Sequence, residues 1–358
     1  MQSNSRILVT GAGGYVGGWI VEWLFLQGFQ NVRAGIRKWS SAARIGRFPV
    51  DIVICDVLNQ AQVTQAMNGV DVVIHCAYGS KEATIQGTRN VAEASWKQKV
   101  ERFVHLSTVS VYGGAEGTVN EDQTFQFTGS EYGDTKIEAE QICWEFHKKG
   151  LPLVVLRPSA IYGPYDKLWI SKFAERLQSR QWGIFEKMGD GQCNLVYIGD
   201  LLNAVFLAAD SEGAIGEAFN INGSDNITWN DYFNTFNGAL NLPALRPIGQ
   251  SSAKVFAAMF APVKKSARYL LGHFGRPITQ LYQRYDLVQQ LMKRAERRMK
   301  STPGREELDM FGRNVHYSIS KAGSVLGFEP QFDVQKGLAM SIQWLRHESL
   351  LNTGVERN

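Results

Sequence analysis

Short apolar runs alternate with longer, more polar stretches along the first third of the chain. The apolar runs lie at residues 7–9, 32–36, 51–55, 71–76 and 102–106. Runs of this length that are rich in Val and Ile predict buried β-strands, and the stretch 19–26 indicates a helix. Strands that alternate with helices at this spacing imply right-handed crossovers. The pattern therefore predicts an α/β fold of the Rossmann type, with a doubly wound parallel sheet.

The first predicted strand leads into a glycine-rich turn, within RILVTGAGGYVGG at residues 6–18. A tight turn needs a glycine, a diphosphate must approach bare backbone, and a helix N-terminus offers amide donors to it. An ordinary glycine-rich turn is the alternative. The strand before and the helix after favour a dinucleotide site, formed by Gly11, Gly14, Tyr15, Val16 and Gly17.

The second predicted strand ends in basic residues instead of an acidic one. An acid at this place would accept hydrogen bonds from both ribose hydroxyls of NAD. Here Arg37 and Lys38 follow the strand, with Ser40 and Ser41 close behind. These groups suit a 2′-phosphate, so we predict a preference for NADP over NAD. The alternative is that both cations are solvated loop charges.

The next two strands end in residues that also suit the cofactor. Asp56 follows the run at 51–55, with Val57 after it, and its carboxylate could accept from the adenine amino group. Ala77 follows the run at 71–76 and is expected beside the cofactor.

Tyr132 and Lys136 are four residues apart in the sequence YGDTK. If this segment is helical, both side chains lie on one face, so the ammonium can sit beside whatever the phenol protonates. A pair at this spacing can also be part of a solvated helix face. The surrounding motifs favour an acid–base unit.

Seven motifs occur along the chain in a fixed order: TGAGGYVG, IHCA, STVSVYG, YGDTK, RPSAIYGP, NLVYIGDL and KAGSVLGFEP. Their order and separations resemble the extended short-chain dehydrogenase/reductase family, the NAD(P)-dependent epimerase/dehydratase-like group. The resemblance implies that Tyr132 is the acid/base and that Lys136 binds the nicotinamide ribose and lowers the tyrosine pKa. It also implies that Thr108 hydrogen-bonds the substrate oxygen and that Pro158 contributes to the cofactor site.

Three departures from the family pattern bear on the substrate. Members that dehydrate nucleotide sugars often carry Asp-Glu after the catalytic Thr, but Val109 and Ser110 stand here. Ala160 and Cys193 stand where nucleotide-sugar enzymes tend to have Asn and a phosphate-binding Arg. The chain is therefore more similar to the branch with 3β-hydroxysteroid dehydrogenases and ketone reductases. We expect an oxidoreductase that interconverts a secondary alcohol and a ketone on a small or lipophilic substrate.

Two other functions stay open. A nucleotide-sugar epimerase or reductase would hold its NAD(P) tightly through turnover. A regulatory module would bind the nucleotide without turnover, but it would have no need of the proton donor that the Thr, Tyr and Lys set provides.

The chain of 358 residues is long enough for a large nucleotide domain and a smaller, mostly C-terminal lobe. Because domains of this family interleave, we expect the nucleotide domain at 1–168, rejoined by about 194–222. The substrate-binding lobe is expected at 169–193 and 223–350, with a tail at 351–358.

Several patterns limit the location and partners of the protein. The sequence has neither an apolar run of eighteen residues nor a signal-peptide core at MQSNSR, and its four cysteines are scattered. We therefore expect a cytoplasmic protein with reduced thiols. The six histidines are dispersed, so we expect no metal site. A homodimer is compatible with the family resemblance.

The stretch 251–300 is strongly basic, with eleven Lys and Arg against two acidic residues, in a chain whose net charge is only +4. Aromatic and aliphatic residues interleave with the charges, which could give a basic amphipathic face. The alternatives are a solvated lid over the substrate cleft and a peripheral membrane contact for a lipophilic substrate. We expect no nucleic-acid partner, because no motif of a nucleic-acid-binding fold is present.

Overall fold

The structure is a computed structural model that describes residues 1–253, 255 and 302–351. Most of the basic stretch at 251–300 and nearly all of the expected tail lie outside the described residues. The lid and membrane-contact hypotheses for the basic stretch therefore stay predictions.

Strands and helices alternate through most of the described residues. In chain order, the strands are β1 (Ile7–Thr10), β2 (Val32–Ile36), β3 (Asp51–Ile54), β4 (Val72–His75), β5 (Arg102–Leu106), β6 (Gly117–Val119), β7 (Leu153–Pro158), β8 (Ala160–Tyr162), β9 (Gly183–Phe185), β10 (Leu195–Tyr197), β11 (Glu217–Ile221), β12 (Arg246–Ile248) and β13 (Val315–Tyr317). The α-helices that lie wholly within the described residues are α1 (Tyr15–Leu26), α2 (Gln60–Met67), α3 (Lys81–Gln98), α4 (Glu131–His147), α5 (Lys172–Gln178), α6 (Ile198–Asp210), α7 (Trp229–Ala239), α8 (Arg305–Phe311) and α9 (Val334–His347).

A seven-stranded sheet has the order β11-β7-β5-β4-β1-β2-β3. All six pairings are parallel, so the predicted doubly wound sheet is confirmed. The chain runs from β1 outward to β3 and then returns to β4 on the other side of β1. Open α/β sheets bind ligands at this reversal, outside the carboxyl ends of the strands.

The apolar runs predicted the strands to within one residue at each end. The first helix begins at Tyr15, four residues earlier than expected. Its extra turn contains Gly17 and Gly18, which have low helix propensity. Gly17 lies so close to the carbonyl of Gly11 that a side chain would overlap it, so close packing on the strand outweighs propensity here.

The sheet belongs to the first of two compact units, which consists of residues 1–162, 194–224 and 316–333. The segment 316–333 was expected in the substrate-binding lobe. Asp200 in α6 provides a physical reason for its place, since its carboxylate accepts hydrogen bonds from the amides of Gln331 at 2.8 Å and Phe332 at 3.2 Å.

The second unit contains the described residues within 163–193, 225–315 and 334–358. Its core is aromatic, with fully buried Phe173, Phe185, Phe233 and Phe311. Helix α9 buries an apolar face formed by Val334, Leu338, Ile342 and Leu345, which recur at helical spacing.

Two buried histidines lie side by side near the carboxyl ends of β4 and β5. The rings of His75 and His105 stack at 5.5 Å. Nε2 of His75 lies 3.0 Å from the hydroxyl of Thr88, which already donates to a helix carbonyl and so must accept here. Nδ1 therefore accepts from Thr10, at 2.7 Å. Burial, and to a lesser degree the charge of Lys136, lowers the pKa of His75 to about 3, so the folded protein holds the neutral ring.

This difference in proton binding predicts a pH-dependent stability. The unfolded chain protonates His75 near pH 6.5, whereas the folded protein does not until about pH 3. The free energy of unfolding should therefore be unaffected by this ring above pH 6.5 and fall below it, by up to about 1.4 kcal/mol per pH unit. Urea unfolding at pH 7.5, 6.0 and 5.0 measures the slope. His75→Gln should reduce this slope, and the neighbouring His105, whose pKa is also lowered by burial, should account for part of what remains; an equal slope in both proteins would contradict the assignment.

Candidate active site

The residues of the expected acid–base unit lie on α4. Ser130 caps this helix by accepting from the amide of Gly133 at 3.4 Å, and Asp134 accepts from the preceding loop at the amides of residues 128 and 129. These bonds hold the first turn in place. Tyr132 is 41% exposed and Lys136 only 5%, so the Tyr132 ring reaches the surface while the Lys136 ammonium lies deeper along the same helix face.

Thr108 lies at the carboxyl end of β5 and is buried. Its hydroxyl accepts from the amide of Ser110 at 3.2 Å and donates to the Ser110 hydroxyl at 3.3 Å, and it lies beside the Tyr132 phenol, whose pKa it acts to lower. Close approach of α4 depends on Gly133, because a side chain there would come within 3.2 Å of the Ser110 carbonyl. Lys136 donates to the carbonyl of Leu106 at 2.5 Å, two residues before Thr108. Thr108, Tyr132 and Lys136 therefore lie close together at the carboxyl ends of the sheet strands.

The ionisation of the pair differs from the expectation. The Tyr132 side chain is partly exposed, but desolvation of its hydroxyl group raises the pKa of Tyr132; the neighbouring Thr108 side chain opposes this, and Tyr78 adds to it. Burial lowers the pKa of Lys136 to about 8. The expected lowering of the tyrosine pKa by Lys136 is not seen, since the ammonium is directed at the Leu106 carbonyl. The phenol is therefore protonated at neutral pH and can act as a proton donor.

The glycine turn has the shape that a diphosphate site requires. Gly11 has φ +70, and a Cβ on it would lie 2.7 Å from the Cα of Ala77. Ala77 thus borders the turn, and only glycine fits opposite it. Gly14 is exposed and precedes α1, where Tyr15 and Val16 are half-buried in the first turn. Within α1, neither a side-chain cap nor an acidic residue in the first turn competes for the leading amides.

The predicted adenosine contacts lie at neighbouring strand ends. Arg37 and Lys38 are exposed directly after β2. Asp56 follows β3 and is half-buried, and its carboxylate accepts from the amide of Leu58 at 3.1 Å. Val57 is buried, and Pro158 is the buried last residue of β7.

A buried polar network that was not expected from the sequence lies behind Thr108, Tyr132 and Lys136. Glu140 accepts from the hydroxyl of Ser107 at 2.5 Å and pairs with Arg157 at 2.7 Å. Arg157 also donates to the hydroxyl of Tyr112, which donates to Asn220, both at 2.7 Å. The sequence contained one indication of this network: Glu140 follows Lys136 by four residues, so both lie on the same inward face of α4. The network joins α4 to the ends of β5, β7 and β11.

The buried ion pair predicts a large stability effect. Arg157→Met should lower the free energy of unfolding by about 3–5 kcal/mol, since it leaves the fully buried Glu140 carboxylate without its partner. Glu145→Gln is the control, because it removes an ion pair from α4, the helix that carries Glu140. The pair of Glu145 with Arg89 is solvent-exposed and should contribute about 1 kcal/mol or less. Urea unfolding compares the two; equal losses would contradict the role of the buried pair.

The described residues contain neither a candidate metal centre nor a candidate membrane span. No group of three or more His, Cys, Asp or Glu side chains there could hold a metal ion. No helix in that part of the chain is long and apolar enough to cross a membrane.

The sequence model of the NAD dependent epimerase/dehydratase family matches residues 7–222, more than half of the chain. The chain belongs to this family. The resemblance to the extended short-chain dehydrogenase/reductases is thereby confirmed, and the protein is an oxidoreductase of that type with a nicotinamide dinucleotide cofactor. The bare glycine turn and the uncapped start of α1 fit such a cofactor.

Relatives of this chain have different substrates in their names. The 3-beta-hydroxysteroid dehydrogenase of Mycolicibacterium neoaurum is 25% identical over 360 residues, covering 93% of this chain and 89% of that protein. The uncharacterized UDP-glucose epimerase YtcB of Bacillus subtilis (strain 168) is 29% identical over 254 residues, covering 62% and 77%. The crystal structure of UDP-glucuronic acid 4-epimerase from Bacillus cereus in complex with NAD has a TM-score of 0.70 at 20% identity, covering 96% and 99%. This last likeness shows the fold alone.

Proposed function

We propose that the protein is an NADP-preferring oxidoreductase that interconverts a secondary alcohol and a ketone on a neutral, small or lipophilic substrate. The observation that carries the proposal is the protonated Tyr132 phenol, on a side chain that is 41% exposed, beside Thr108 at the carboxyl end of the sheet. A proton donor at this edge is what carbonyl reduction needs.

The three residues divide the work. The nicotinamide, when bound, supplies the hydride for the carbonyl carbon. Tyr132 gives its proton to the carbonyl oxygen, and Thr108 donates a hydrogen bond to the same oxygen. Lys136, with a pKa of about 8, carries its charge at neutral pH and would hold the ribose hydroxyls of the cofactor with the N–H groups that it does not give to the Leu106 carbonyl. In the oxidation direction the proton returns to Tyr132.

The substrate class follows from the groups that would meet a diphosphate. Cys193 stands where the family resemblance places a phosphate-binding Arg, and it is only 2% exposed. Burial raises its thiol pKa well above the usual range, so it offers neither charge nor access. The hydroxysteroid dehydrogenase from Mycolicibacterium neoaurum supports an alcohol or ketone. The alternative is a nucleotide-sugar epimerase, which the names of the other two relatives favour.

Removal of the proton donor tests the chemistry. In an assay of NADPH oxidation with neutral ketones, Tyr132→Phe should lower kcat by about a hundred-fold or more. Cofactor affinity should stay within a few-fold, because the change removes one hydroxyl group. Retention of most of the activity would show that Tyr132 is not the acid. If the parent protein instead reduces no ketone and binds a UDP-sugar at micromolar concentration, the epimerase alternative replaces the proposal.

The NADP preference rests on Arg37 and Lys38, which are exposed at the end of β2 beside the glycine turn. Their neighbour Ser41 lies against this turn, since a Cβ on Gly13 would come within 2.6 Å of its Cβ. The segment after β2 therefore borders the place of the ribose and diphosphate. Two cations here suit a 2′-phosphate, which favours charge-assisted hydrogen bonds.

Charge reversal tests the preference. Arg37→Asp should weaken NADP binding at least ten-fold more than NAD binding, because it replaces attraction of the 2′-phosphate with repulsion. Titration of both cofactors by quenching of intrinsic fluorescence gives the ratio of their dissociation constants. Lys148→Asp makes the same charge change just beyond the far end of α4 and should leave this ratio as it is. An unchanged ratio in Arg37→Asp would refute the assignment.

A further inference from the structure

The aromatic ring of Tyr78 is exposed and packs against the ring of Tyr132. It follows Ala77, which borders the glycine turn, and its ring lies 5.4 Å from the ring of Tyr132 at an interplanar angle of 77°. The two side chains are 58% and 41% exposed. A substrate whose oxygen reaches the Tyr132 hydroxyl must therefore pass beside a large, accessible aromatic surface.

The short segment that carries Tyr78 is well anchored. The amide of Gly79 donates to the hydroxyl of Thr84 at 3.2 Å, and Ser80 caps α3 by accepting from the amide of Ala83 at 3.2 Å. Lys81 pairs with Glu138 of α4 at 2.9 Å. Helix α3, which begins three residues after Tyr78, is thus joined to α4, which carries Tyr132.

The charge around the pair disfavours an anionic substrate. Burial raises the pKa of Tyr78, and the neighbouring Glu131 carboxylate raises it further. Both phenols are therefore neutral near pH 7, and the Glu131 carboxylate at the start of α4 acts on Tyr78. A neutral ring is therefore a better match for the exposed Tyr78 ring than an anionic group.

We propose that Tyr78 is a specificity-determining residue whose ring supports a neutral, flat ring of the substrate while the carbonyl faces Tyr132. Aromatic rings prefer edge-to-face or offset contacts, and a Tyr–ring contact adds to the free energy of apolar burial. The substrate class is thus a ring-bearing ketone or secondary alcohol rather than an open-chain one. This inference rests on the proposed function, because it deepens the description of the same site.

The experiment compares a neutral steroid 3-ketone with the open-chain ketone 2-undecanone. The measured quantity is the ratio of their kcat/KM values with NADPH, in the parent protein, Tyr78→Leu and Tyr78→Phe. Tyr78→Leu should lower the ratio about ten-fold, mainly through KM of the steroid ketone, because it removes the aromatic contact. Tyr78→Phe keeps the ring and should keep at least half of the ratio.

The inference is wrong if Tyr78→Leu keeps a ratio of kcat/KM values within two-fold of the parent. It is also wrong if Tyr78→Phe lowers this ratio as much as Tyr78→Leu does, because the effect would then belong to the hydroxyl group. If the parent reduces neither ketone, the proposed function fails by itself. Calorimetric titration of the cofactor-loaded proteins with the steroid ketone then decides the inference. A dissociation constant about ten-fold weaker in Tyr78→Leu supports it, and equal or undetectable binding in the parent and the variant refutes it.

Discussion

The buried ion pair between Glu140 and Arg157 is the constraint on which the site depends. Both side chains are almost fully buried, at 0% and 5% exposure, and two charges in such a place are tolerated only when each is paired and hydrogen-bonded. Glu140 meets this condition only when α4 packs over the ends of β5 and β7 at one particular depth and with one particular rotation about its own axis. The same placement brings Lys136 under the Leu106 carbonyl and Tyr132 beside Thr108.

Because Lys136 is buried, its ammonium loses a proton at a lower pH than the Tyr132 phenol does. The ammonium has few partners, a backbone carbonyl foremost, and burial brings its pKa down to about 8 while the pKa of Tyr132 is raised. A lysine beside a phenol is expected to depress the phenol pKa when its charge faces the ring. Here it faces the strand end, so the protonated phenol is favoured, and the arrangement suits reduction of a carbonyl more than removal of a proton.

The sequence allowed most of the sheet to be predicted, because each strand is a local apolar run and each glycine of the turn meets a local steric demand. Thr108, Tyr132 and Lys136 could be found because they lie in short motifs. Tyr78 and Arg157 could not, since their partners are 54 and 17 residues away in the sequence and only the fold joins them. The place of residues 316–333 escaped prediction for the same reason, because it depends on Asp200.

Relatives of this chain are named as hydroxysteroid dehydrogenase and as UDP-glucose epimerase. The fold and the set of Thr108, Tyr132 and Lys136 therefore cannot separate alcohol oxidation from epimerisation. The groups around these three residues can distinguish the two reactions. A nucleotide sugar carries a diphosphate, which needs cations, whereas a ring ketone carries apolar surface, which needs a neutral aromatic side chain. Near Tyr132 the protein offers an exposed ring and a carboxylate, and the position that would pair with a diphosphate is a buried thiol. The balance of these groups, rather than the catalytic residues, is what favours a neutral ring-bearing substrate.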